Sequence, residues 1–159
     1  MRWCSVDPGS CGAIVVWEDD KPVDLYRLEQ EVGAQKEWKH LSIEILNCNA
    51  CYVEKVRGMF WDGAASAFNF GWNCGMLHQF FKGEVEYISP QKWMNTMHAG
   101  LPKATPTKER SFIVAKKLYA GFLEKHNALR KKDDGVWDAL LIGHYVLWTK
   151  KIEAGLGGK

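Results

Sequence analysis

The sequence predicts an α/β domain built on a mixed five-stranded sheet flanked by helices, with three antiparallel strands first. Three observations lead there. Short apolar runs joined by turn residues fill the opening of the chain, a helical spacing then leads into a fourth apolar run, and the second half sets one more short strand among long helical segments.

Residues 2–7 read as an apolar strand, Asp7-Pro8-Gly9-Ser10 supplies turn chemistry, and residues 12–17 read as the second arm of a hairpin. A further turn at Glu18 to Pro22 precedes residues 23–28, whose alternation of apolar and polar side chains predicts a half-exposed third strand. Trp38, Leu41, Ile45 and Leu46 recur at helical spacing and feed Ala50 to Lys55, a run rich in strand formers. Asp62 to Phe81 reads as a long helix with Gly63, Ala67, Gly71 and Gly75 on one stripe, open to a dimer mate or to its own sheet. Val85 to Ile88 forms a fifth strand. Ser89-Pro90 and Thr105-Pro106 carry the cap and first-turn proline of two further helices, and Asp134 to Lys150 reads as the last. Residues 1–154 are therefore expected to form one domain, with 155–159 a disordered tail.

With 47% hydrophobic and 25% charged residues over 159 positions, the chain is expected to be a soluble globular protein with a sizeable core. It has no long uncharged apolar run, and Asp7 interrupts the N-terminus before a signal region could form, so no membrane association and a cytoplasmic location are expected. Five cysteines, an odd and dispersed set, predict reduced and mostly buried thiols; Cys48 and Cys51 have the spacing of half a zinc site without a second half. The net charge of +2 hides an asymmetry. Between Lys103 and Lys132, nine Lys or Arg stand against Glu109 and Glu124, a local charge of +7, which leaves −5 for the remainder. Such a block points to a polyanionic partner beside a group of carboxylates, or to a solvated helix face.

Asp7 and Glu54 each end an apolar strand, where an aliphatic side chain would be ordinary. A buried carboxylate is costly without compensation, and a divalent cation compensates two at once. Asp134 and Asp138 are four apart, hence about 40° and about 6 Å apart on one helix face. Both can address one site; Asp133 or Asp134 can equally serve as the helix cap, whereas Asp138 lies too deep for that. Oxygen ligands without a His or Cys cluster select Mg2+, with Mn2+ as a substitute, and such ions support phosphodiester hydrolysis. Lys103, Lys108 and Arg110, before and within the basic helix, are placed to hold phosphates near them. Trp93 and His144 read as core residues.

Asp7-Pro8-Gly9, Val53-Glu54 and Asp134-Gly135-Val136-Trp137-Asp138-Ala139-Leu140-Leu141 together resemble the RuvC-type Holliday-junction resolvases, particularly their bacteriophage branch. Each string is common alone; three in this order, over nearly the whole chain, are specific. The resemblance implies a ribonuclease H-like fold, four acidic metal ligands, Mg2+ dependence, a homodimer, and cleavage of branched DNA. Asp7, Glu54 and Asp138 carry over directly. Bacterial members place the fourth acid at the position of Gly135, so Asp134 becomes its substitute. The family's apolar wedge falls on Met59-Phe60-Trp61, which makes Phe60 either the residue that opens base pairs or a buried anchor. Related nucleases of flaps, forks or RNA–DNA hybrids share this chemistry, and a non-catalytic nucleic-acid-binding module would not need the acids. An actin-like or sugar-kinase-type phosphate binder needs a second domain, for which the chain has no room.

Overall fold

The computed structural model describes residues 1–9, 11–28, 47–55, 63–81 and 83–155. Five strands, β1 (Arg2–Asp7), β2 (Ala13–Glu18), β3 (Lys21–Arg27), β4 (Ala50–Glu54) and β5 (Glu84–Ile88), form one sheet in the order β3-β2-β1-β4-β5. β1, β2 and β3 are antiparallel, whereas β4 and β5 run parallel to β1. The expected order and mixture of strands are both present. Pro22 sits in β3, at an edge, where its missing N–H costs no ladder bond.

The described helices are α1 (Ala64–Phe80), α2 (Pro90–Met97), α3 (Thr107–Lys125) and α4 (Asp134–Glu153), the last preceded by a 3-10 turn at Lys131–Asp133. The expected helix around residues 38–46 lies outside the described residues. α2 begins at Pro90 as expected, with Ser89 before it making no side-chain cap. α3 begins one residue later than Thr105-Pro106 suggested, because Pro106 itself occupies the cap position. α4 continues past Lys150 to Glu153.

Alternation along β1 divides the core between the two faces of the sheet. Trp3, Val15, Trp17 and Tyr52 pack with Val136, Leu140 and Leu141 of α4 on one face. Cys4, Val6, Ile14, Val16, Cys51 and Val53 pack with Leu77 and Phe81 on the other. Cys4, Cys48 and Cys51 are thus buried free thiols, as expected, while Cys11 is exposed. The Gly63, Ala67, Gly71 and Gly75 stripe does not face the sheet. All four are exposed, and a β-carbon at Gly71 or Gly75 would meet only open space. No helix among the described residues is long and apolar enough to cross a membrane.

The register of α4 on the sheet positions everything that follows. Ser5 Oγ donates to the Ala139 carbonyl at 2.7 Å and accepts Trp17 Nε1–H at 2.8 Å, both within the core. Trp17 stacks on Trp3 at 5.0 Å, and its ring fills the space a side chain at Gly143 would need. These contacts fix the helix along its axis and about it, so its first two turns lie over the end of β1.

Candidate active site

Because β4 pairs in parallel with β1, Val53 opposite Val6, the two acids that end these strands emerge side by side. Asp7 Oδ1 accepts the Gly9 N–H at 2.9 Å, closing the Asp-Pro-Gly turn over its own carboxylate. Glu54 Oε1 accepts Trp93 Nε1–H at 2.8 Å from α2. From α4, Asp138 joins the same neighbourhood, with Asp134 one turn earlier at the helix start.

The four acids feel one another. Burial, then Glu54 and Asp138, push the Asp7 carboxyl up to about 8, against the Gly9 N–H, and Asp134 adds to the rise. Burial pushes Asp138 up to about 7; the Ser111 hydroxyl opposes the shift, Glu54 and Asp134 add to it, and Lys108 opposes it. Glu54 is raised by burial and eased by Trp93. Oδ1 of Asp138 is buried without a hydrogen-bond partner. Too much negative charge for the local supply of donors is the common cause.

Lys108 provides the nearest positive charge. Its ammonium pairs with Asp134, which holds the lysine above its ordinary range. Asp133, offered by the sequence as a cap, does something else: its buried carboxylate accepts from Arg27 at 3.3 Å and from the Arg130 main chain at 2.9 Å, tying β3 to the start of α4. It gives α4 no side-chain cap, and neither does Asp134.

Among the expected residues, the structure brings Asp7, Glu54, Asp134, Asp138 and Lys108 together. Arg110 turns to Thr107 Oγ1 at 3.2 Å, with its charge near His98. Lys103 lies exposed in the turn before α3, and no described contact joins it to the carboxylates. Phe60 lies outside the described residues. Among the described residues, no three carboxylate, imidazole or thiolate groups stand as a ready-made ion cage. Each acid is instead held by a separate partner, namely Gly9, Trp93, Ser111 or Lys108.

The site also contains residues that sequence spacing did not bring to it. Trp93 is buried as expected, yet its indole N–H serves Glu54. Ser111 and His98 carried no periodic or motif signal of their own. The donor set nevertheless fits a hard divalent cation: all oxygen, crowded with like charge, and including one buried oxygen with no partner.

Two solved structures of Thermus thermophilus RuvC share this architecture. The one in complex with Holliday junction substrate aligns with a TM-score of 0.61 at 15% identity, over 98% of this chain and 97% of that one. The other aligns at 0.62 and 18% identity, over 98% of each chain. No family model and no curated protein sequence matches the chain. At such identities the likeness establishes the fold, and it does so from end to end. The chain has the RuvC-type, ribonuclease H-like α/β fold.

Proposed function

We propose that the protein is a divalent-cation-dependent DNA endonuclease that resolves four-way and related branched junctions. The observation that carries this reading is the unpartnered, buried Oδ1 of Asp138 beside Asp7 and Glu54, at the ends of adjacent parallel strands. On a fold shared with a protein seen bound to Holliday junction substrate, that arrangement suits phosphodiester hydrolysis.

Asp7, Glu54, Asp138 and Asp134 would hold Mg2+, or Mn2+ in its place. Ions bound there supply an activated water and compensation for charge on the departing oxygen. The chain's own side chains do the rest. Gly9 and Trp93 hold Asp7 and Glu54 in single orientations, and Lys108 stands ready to leave Asp134 for a phosphate. Lys103 and Arg110 extend the basic surface along which a backbone is held. Phe60 is the residue assigned to wedge between base pairs.

A homodimer follows from the exposed face of α1. Phe68 and Trp72 stack at 6.2 Å on that face while 68% and 48% exposed, beside Gly71 and Gly75, which permit close approach. Two copies would place two sets of carboxylates on one junction for paired nicks in the cytoplasm of a bacterial or phage-infected cell.

Synthetic four-way junctions, flaps, forks and RNA–DNA hybrids incubated with Mg2+ test the reading side by side. The junction should be cut in preference to the others, and Asp7→Asn should bind it without cutting. Cutting by Asp7→Asn at the wild-type rate would sink the assignment.

A further inference from the structure

Glu54 and Asp138 come from different elements, yet both are held from α2 and its C-terminal turn. Trp93, in the middle of α2, donates Nε1–H to Glu54. His98, the residue that closes α2, meets the Trp93 ring edge-on at 5.6 Å and 76°. Its Nε2 lies 3.1 Å from Ser111 Oγ on α3. The Ser111 hydroxyl in turn serves Asp138. Trp93, His98 and Ser111 are all buried.

Proton counting gives this chain a direction. A serine hydroxyl has one proton to donate. If it goes to the imidazole, Asp138 receives nothing; if it goes to the carboxylate, the imidazole must be the donor. Only the second arrangement satisfies an acid already short of donors. A buried Ser–His pair is also costly in a core that an apolar pair would fill, and its use as an orienting contact to a cation ligand accounts for it.

We propose that His98 is a positioning residue: its Nε2–H donates to Ser111 Oγ and so directs the single hydroxyl proton onto Asp138, while Trp93 on the same helix sets Glu54. α2 thereby fixes the spacing of two of the acids, a role that rests on the nuclease reading above.

Two measurements test this. In 15N-labelled wild-type protein, the His98 ring shifts should report a proton on Nε2 and none on Nδ1. Mn2+ affinity, followed by electron paramagnetic resonance, should weaken about tenfold in Ser111→Ala and His98→Phe. His98→Gln, which keeps a donor, should recover most of it. Melting curves in EDTA identify variants that fold, and the tautomer of the wild type needs no variant at all. A proton on Nδ1 instead, or wild-type Mn2+ affinity in folded His98→Phe, would overturn the positioning role. Wild-type protein that neither binds Mn2+ nor cuts DNA would overturn the nuclease reading itself.

Discussion

Gly135 presses its α-carbon against the main chain of Cys11, so that a β-carbon there would fall well inside contact with the Cys11 carbonyl oxygen and crowd Gly12. Bacterial RuvC-type members are expected to carry an acid at this position. Here the β1–β2 turn fills the space, which gives a steric reason for the acid to stand at Asp134 instead. Gly135→Ala should therefore lower stability by about 2 kcal/mol, as overpacking of a tight contact does, and Gly135→Asp by more. Urea unfolding measures both. A Gly135→Asp variant as stable as the wild type would show that the turn yields readily and that the contact has no such consequence.

This contact also shows where sequence reading reaches its limit. Asp7 and Glu54 were legible because a carboxylate that ends an apolar run contradicts its surroundings, and the alternation of strands and helices was enough for the sheet. The hydrogen bond from Trp93 to Glu54 joins residues 39 apart and follows from tertiary packing that no local period encodes. The same holds for Ser111 and His98. The Gly-Ala stripe of α1 was visible as a stripe, but its direction, away from the sheet, depends on which face Leu77 buries. The helix expected near residues 38–46 and the Phe60 wedge lie outside the described residues.

The raised carboxyls make stability depend on pH in a definite direction. Folded Asp7 and Asp138 titrate near 8 and 7, whereas aspartates in an unfolded chain titrate near 3.9. The folded state thus binds their protons more tightly. Their contribution is fully present below about pH 4 and is lost as pH rises through 7 and 8. Partial exposure and screening limit it to roughly a few kcal/mol. A divalent cation displaces those protons, so the stabilisation by Mg2+ should be larger at pH 8.5 than at pH 5.5. Asp7→Asn should melt higher than the wild type in EDTA at pH 8.5 and gain little from Mg2+. Melting curves at the two pH values decide the matter; a wild type whose metal-free stability rises over this range through these groups would contradict the assignment.

Ser5 makes a separate, purely structural prediction. Its hydroxyl is the acceptor for the buried Trp17 indole N–H and the link to α4 at Ala139. Ser5→Ala leaves that N–H unsatisfied in the core, at a cost of about 1–3 kcal/mol. Trp17→Phe in the same background should remove part of the penalty, so the double-mutant cycle should be non-additive. Additive losses in urea unfolding would mean that the Trp17 N–H finds another acceptor.

Lys108 separates cation binding from DNA binding. Its side chain is 71% exposed and pairs with an Asp134 side chain that is 13% exposed, so the ion pair itself contributes under about 1 kcal/mol to folding. Removing the ammonium takes positive charge away from Asp134 and Asp138, both of which it now attracts. Lys108→Ala should therefore bind Mn2+ as well as the wild type or better. DNA lacks that constraint: one phosphate contact fewer should weaken junction binding and reduce the slope of log affinity against log salt by about 0.9. Spectroscopic Mn2+ titration and salt-dependent binding measure the two effects independently. Weaker Mn2+ binding with an unchanged salt slope would instead make Lys108 an organiser of the carboxylates and leave phosphate contact to Lys103 and Arg110.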